Sequence, residues 1–376
     1  MRVKAIEARA LQIPFKVAFS HASADRAATQ TVWVTARGDQ HIGYGEGCPR
    51  EYVTGESLRT AGAFIAEFAD DWCESIRDLE SLRAWTQRHT LEIDHNPAAW
   101  AAVELALLDL IAKCEAKSVE SLLGLPALAG RFLYTAVIGD APLPQFAAQL
   151  AHYLKAGFRQ FKIKLSGDAT RDRAKVRALA DAGVSGETVR ADANNVWQSA
   201  AAAISALELL EFPFFAIEEP LKAGDYDGMA RLASTLGTKI VLDESVLGAN
   251  QLDNLGGDTR QWIVNLRVSK MGGMLRSLAM VSELRRRGFG LIIGAQVGET
   301  SILTRAALTV ANAAKDILLA QEGAFGTHLL ARDVVNPSLM FGAGGILDVS
   351  ATAFDAAGWG VQVIVSSTDL AVLPIA

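Results

Sequence analysis

Five charged residues recur through the middle of the chain at nearly constant spacing. Lys164, Asp192, Glu218, Asp243 and Arg267 are separated by 28, 26, 25 and 24 residues, close to one βα unit each, and each closes a short β-rich apolar run. In a closed parallel barrel the C-terminal strand ends share one face, and that face carries the active site. Adjacent strands lie about 4.8 Å apart, so acids on three neighbouring strands converge. Three converging carboxylates repel one another unless a cation lies between them. A ligand set of oxygen alone, without histidine or cysteine, favours Mg²⁺, with Mn²⁺ as the alternative, over Zn²⁺. Lys162 and Lys164 form K-x-K. Residues i and i+2 of a strand share a face, so both are expected to point into the barrel mouth. Mutual repulsion and a nearby metal are expected to lower their pKa values towards those of a general base. The chemistry that follows is metal polarisation of a substrate carboxylate and removal of its α-proton by a lysine. The charge of the resulting enediolate then falls on oxygens the cation already holds.

The elements that must position these groups are legible as runs. LYTAVIG, RQFKIKL, ETVRADA, FFAIEE, KIVLDE, QWIVNLRV, FGLIIGAQ and DILLAQE alternate with amphipathic or alanine-rich stretches. That predicts an α/β fold, a (β/α)8 TIM-type barrel over residues 126–345. Residues 1–125 show strands followed by helices, an N-terminal α+β capping domain. In it MRVKAIEARALQI and TQTVWVTARG read as strands, while PFKVAFSHASADRAA and GYGEGCPREYVTGES read as loops. Asn96 is expected to cap, and Pro97 to open, a mostly buried helix. Residues 346–376 contain WGVQVIV and are expected to return to the capping domain.

The 376 residues are 50% hydrophobic with a net charge of −6, which supports a large core and excludes a general nucleic-acid surface. Arg285, Arg286 and Arg287 precede Gly288 and read as the last turn of a helix and its stop. Cys48, Cys73 and Cys114 are odd in number and widely spaced, without a zinc pattern, and imply a reducing compartment. The chain starts without a signal-peptide pattern and has no membrane-length apolar run, so the expected location is cytoplasmic. The six histidines contain no H-x-H or H-E-x-x-H. His328 lies nearest the expected barrel mouth.

These motifs resemble the enolase superfamily, specifically its muconate-lactonizing (muconate cycloisomerase) subgroup, within the mandelate racemase/muconate lactonizing enzyme family. The resemblance spans nearly the whole chain, through FKIKL, DANNVW, IEEP, LDES, SKMGG, GETS and EGAFG. It implies Asp192, Glu218 and Asp243 as metal ligands, and Glu218 rather than Glu219. It implies Lys164 as the acid/base with Lys162 as its partner, and Asn194, Glu244 and Lys270 as supports behind the ligands. Loops at residues 19–24 and 52–54, with Phe19, Tyr52 and Thr54, would read the substrate, and Glu299 and Glu322 would line the rim. A homo-oligomer is usual for the family.

One position departs from the pattern. The subgroup usually carries a second catalytic lysine, first in K-x-x-K-x-G-G, where this chain reads RVSKMGG and holds Arg267. A guanidinium is a poor base but a good fixed cation. With one base on one face, the expected reaction is cycloisomerisation or syn-elimination on a small-molecule carboxylate. The alternatives are an epimerase or racemase of an acylated amino acid or dipeptide, a Schiff-base aldolase through Lys164, and a non-catalytic metal-binding barrel. No nucleic acid or membrane is expected as a partner.

Overall fold

The computed structural model describes residues 1–21, 24–350, 354 and 356–374. Eight parallel strands lie side by side in chain order: Ala136–Ile138, Phe161–Lys164, Val189–Asp192, Ala216–Glu218, Lys239–Leu242, Trp262–Leu266, Gly290–Ile293 and Leu318–Gln321. The ring closes where the Thr135 N–H donates to the Gln321 carbonyl at 2.8 Å. Each of the eight expected runs holds one strand. Ala216, Val241, Ile263, Ile292 and Ala320 form an apolar plug inside the barrel. The charged positions stand above that plug because side chains alternate along each strand. The register puts Lys164 beside Asp192 and Asp192 beside Glu218.

Several of the helices between strands begin on side-chain caps. Asp168 accepts from the N–H groups of Thr170 and Arg171, and Asp225 from that of Gly228. Such caps satisfy amide donors that have no partner within the helix. Helix Met274–Arg287 stops at Gly288, whose φ of 76° suits a residue without a Cβ. Arg285, Arg286 and Arg287 fill its last turn, paired with Asp316, Glu283 and Asp253.

The N-terminal domain is an antiparallel sheet in the order Leu370–Val372, Ala5–Leu11, Thr31–Arg37, Ile42–Gly47. The C-terminal segment thus returns to this sheet. Two stretches expected as loops are strands. Strand Pro14–His21 pairs antiparallel with strand Ala24–Ala28. IGYGEG is the strand Ile42–Gly47. Its glycines hide it from a propensity reading, but they have a packing role. A Cβ on Gly43, Gly45 or Gly47 would come within 2.0, 2.0 and 1.9 Å of the carbonyls of Ala106, Ala102 and Ala98. The backbone of helix Pro97–Cys114 therefore lies directly on this strand, with residues 97–112 all buried. Asn96 makes no capping hydrogen bond there. The buried carboxylate of Glu56 accepts from the Ala98 and Ala99 N–H groups instead, at 2.9 and 3.0 Å.

The two domains are joined in the same way. Glu46 accepts from the Thr300 N–H and hydroxyl at the start of helix Ser301–Ala313. Glu104 accepts from the Met274 and Leu275 N–H groups at the start of Met274–Arg287. Cys48 is a buried free thiol. Its backbone N–H donates to Ser269 Oγ at 2.7 Å. Among the described residues no helix is long and apolar enough to cross a membrane.

Candidate active site

Asp192 and Glu218 end the third and fourth barrel strands, and Asp243 follows the fifth. All three are buried. Glu218 Oε1 accepts from Asn265 Nδ2 at 3.0 Å, and its Oε2 lies 3.1 Å from Lys162 Nζ. Burial, with Asp192, Glu322 and Asp243 nearby, pushes the Glu218 carboxyl up to about 7 although Lys162 opposes it. Asp243 is held at about 2. Burial would raise it, but Arg267 and Lys270 outweigh that. Adjacent carboxylates with such different proton affinities follow from their unequal share of neighbouring cations.

The two glutamates of IEEP divide at this point. Glu218 points into the barrel. Glu219 takes a φ of 39° and turns away. Its Oε1 accepts from the N–H groups of Asp243 and Ser245 at 2.7 and 2.8 Å, and its Oε2 from Ser245 Oγ at 2.8 Å. Glu219 therefore positions the loop that carries Asp243.

Lys162 and Lys164 do share a face, but their surroundings differ. Lys162 Nζ lies 2.6 Å from Glu322 Oε2, 3.1 Å from Glu218 Oε2 and 3.7 Å from Asp192 Oδ2. The expected lowering of its pKa is corrected here. Burial pulls it down, but the carboxylates of Glu218, Glu322 and Asp192 together hold the ammonium well above the ordinary lysine range. Lys164, one step nearer the mouth, donates to Asp192 Oδ2 at 3.1 Å and contacts Asn194 Oδ1.

Glu322 was expected on the rim and is not there. It is buried, with Oε1 2.6 Å from Arg190 Nη2 and Oε2 on Lys162. Arg190 and Asn265 were not anticipated. Each stands two residues before a recognised position, Asp192 and Arg267, on the same strand face, so the alternation rule could have found them.

Around the mouth, Arg267 donates through Nη2 to Asp243 Oδ2 and through Nη1 to Gln296 Oε1, the latter at 2.8 Å. Burial acts against its charge, but Asp243, Glu244, Glu218 and Glu322 hold the guanidinium above even the usual arginine range. Lys270 Nζ donates to the Asp243 carbonyl at 2.6 Å and to Oδ1 at 2.8 Å. Glu299 Oε1 accepts from the Gln296 N–H at 2.7 Å, and burial pushes the Glu299 carboxyl up to about 8. Tyr52 and Thr54 sit on the short helix Glu51–Thr54. The Thr54 hydroxyl donates to Glu56 at 2.8 Å. Phe19 is on strand Pro14–His21, opposite Arg26 of strand Ala24–Ala28. Its side chain, like Ala22 and Ser23 of the expected loop at residues 19–24, lies outside the described residues. His328 stacks on Phe341 and contacts that residue's carbonyl, a packing role.

The donor chemistry fits a hard divalent cation. Three buried carboxylates stand on consecutive strands without nitrogen or sulfur ligands. Beside them Glu244 Oε2 is buried with no hydrogen-bond partner, and burial with Asp243 and Asp192 pushes that carboxyl up to about 7. Excess negative charge of this kind is what a bound cation relieves. Among the described residues no three acidic, histidine or cysteine side chains are drawn around a common point. The side chains of Lys162, Lys164, Arg267 and Lys270 are interleaved with the carboxylates instead.

Residues 145–367 match the family described as enolase C-terminal domain-like. A hydrophobic dipeptide epimerase of Enterococcus faecalis is 26% identical over 330 residues, covering 87% of this chain and 92% of the relative. An L-Lys-D/L-Arg epimerase of Methylococcus capsulatus is 30% identical over 299 residues, covering 79% and 82%. The solved dipeptide epimerase of Enterococcus faecalis, complexed with Mg and L-Leu-L-Tyr, superposes with a TM-score of 0.79 at 24% identity, covering 96% of this chain and 100% of that one. These relatives are epimerases. They overturn the expectation of a muconate cycloisomerase-like isomerase or lyase, which rested on Arg267 replacing one lysine. The family match over more than half the chain and the 30% identity to a relative aligned over 79% of this chain show that this chain belongs to the enolase superfamily.

Proposed function

We propose that this chain is a Mg²⁺-dependent epimerase acting at the α-carbon of a small amino-acid carboxylate, of which a dipeptide is the best-supported kind. The observation that carries it is the placement of Lys164. This lysine stands at the open end of the barrel, beside Asp192 and above the buried pair of Lys162 and Glu322. Asp192, Glu218 and Asp243 would hold the cation, which supplies Lewis-acid polarisation of the substrate carboxylate. Lys164 takes the α-proton. Lys162 stays charged and holds Glu218, Glu322 and Asp192 in place. Arg267 follows the sixth strand, across an eight-stranded ring from the second-strand Lys164. Its guanidinium keeps its proton, so it acts as a fixed cation for the carboxylate rather than as a base. The epimerase relatives support inversion as the outcome; with Arg267 keeping its proton, inversion requires that a solvent proton reach the α-carbon on the face opposite Lys164 while Lys164 passes the proton it took to solvent.

The test is a panel of L,L-dipeptides with Mg²⁺ in D₂O. Proton NMR follows loss of the α-proton signal, and chiral chromatography follows the second epimer. Wild type is expected to form a deuterated epimer, and Lys164→Ala to lose exchange by about 10²–10⁴-fold. Lys164→Ala exchanging at the wild-type rate would sink the assignment.

A further inference from the structure

Both oxygens of Asp243 are taken by cations. Lys270 holds Oδ1 and the Arg267 guanidinium holds Oδ2. The charge of a carboxylate so engaged is already compensated, so a third cation has to compete with these partners. Lys270 is anchored by two further acceptors, the carbonyls of Asp243 and Asn265. Arg267 has a different second attachment, since its Nη1 donates to Gln296 Oε1 at 2.8 Å. One further donor on each of these side chains, Arg267 Nε and Gln296 Nε2, is buried without any hydrogen-bond partner. Unpartnered buried donors are costly. Nε shares one edge of the guanidinium with Nη2, and that edge forms the paired N–H fork with which an arginine grips a carboxylate.

We infer that Arg267 is a metal-responsive carboxylate clamp. It neutralises Asp243 when no divalent cation is bound. With a divalent cation held at Asp243, the guanidinium would keep its contact with Gln296, and its Nε/Nη2 edge would be open to the carboxylate of the substrate. This rests on the α-proton reading above and adds to it that the cation and the substrate tighten each other's binding, because the first frees the group that the second needs. A lysine at this position has no planar fork and would hold the carboxylate as a point charge only.

Isothermal titration of MgCl₂ into the full-length protein, without substrate, separates the possibilities. Arg267→Gln removes the competitor for Asp243 and is expected to bind Mg²⁺ at least about tenfold more tightly than wild type. Gln296→Leu removes the contact with Arg267 Nη1, leaves Arg267 on Asp243, and is expected to bind Mg²⁺ more weakly. Disturbance of the pocket alone would weaken both, so the opposite signs identify the clamp. Arg267→Lys keeps the charge without the fork and is expected to fall between wild type and Arg267→Gln. It serves as the second variant should Arg267→Gln fail to fold. Equal or weaker Mg²⁺ binding by a folded Arg267→Gln would overturn the clamp and leave the proposed function standing. No Mg²⁺ binding by any of the proteins would overturn both.

Discussion

The Glu219 carboxylate accepts a hydrogen bond from the Asp243 backbone N–H at 2.7 Å, one strand away. The acid that looks redundant in IEEP thus fixes the next acid along the barrel. Glu219→Ala is expected to fold and to weaken Mg²⁺ binding by about 10–100-fold, the usual scale for groups that orient a ligand. Glu218→Gln is expected to lose binding altogether. Calorimetry on both variants checks this, and a Glu219→Ala protein with wild-type affinity would refute the positioning role.

Lys162 is the one positive charge that touches Glu218, Glu322 and Asp192 together among the described residues. Lys162→Met leaves those buried carboxylates with less compensation. Breaking a buried pair in this way costs roughly 3–5 kcal/mol. Urea unfolding without Mg²⁺ should show that loss, and added Mg²⁺ should return part of it. Equal stability of Lys162→Met and wild type in metal-free buffer would contradict the network.

Gly45→Ala tests the contact between strand Ile42–Gly47 and helix Pro97–Cys114. Its Cβ would meet the Ala102 carbonyl at 2.0 Å, whereas a Cβ at Gly256 meets nothing within 4 Å. Gly45→Ala is expected to destabilise by roughly 1–3 kcal/mol or more, and Gly256→Ala to stay close to wild type. The comparison needs only their melting temperatures. A Gly45→Ala protein that melts with wild type would mean the helix can step back.

Stability should fall as pH rises through neutrality. Burial raises Glu46 and Glu56 from 4.5 to about 7, and Glu104 from 4.5 to about 8. A carboxyl whose folded pKa exceeds its unfolded value stabilises the fold fully below the unfolded pKa, here 4.5. That contribution is lost as pH climbs through the folded one, at up to about 1.4 kcal/mol per pH unit for each proton. Glu104 ionises last. Glu104→Gln keeps an acceptor for the Met274 and Leu275 N–H groups and cannot ionise, so its melting temperature should decline less than wild type above pH 7. Parallel profiles from pH 7 to 9 would remove Glu104 from this account.

The barrel was legible because its signal is local and repeated. Eight apolar runs, the spacing of Lys164, Asp192, Glu218, Asp243 and Arg267, and the two-residue alternation of K-x-K need no long-range information. Arg190 and Asn265 were within reach of the same alternation. The glycine-rich strand at residues 42–47 was not, because glycine reads as a turn until the helix backbone lying on it is known. The reaction was not legible at Arg267. Read alone it marks a missing second base and points to elimination or cycloisomerisation, which the epimerase relatives overturn.

By itself the sequence determined which residues stand at the strand ends and therefore which chemistry gathers at one face of the barrel. The tertiary structure decided how those charges pair. It put Lys162 with Glu322, 160 residues away, Arg267 with Asp243, Glu219 with the Asp243 backbone, and Glu104 at the start of a helix 170 residues away. Strand phase depends on neighbours in sequence. Charge pairing in a buried site depends on every group within a few ångströms, and those groups come from strands and helices that only the closed ring brings together.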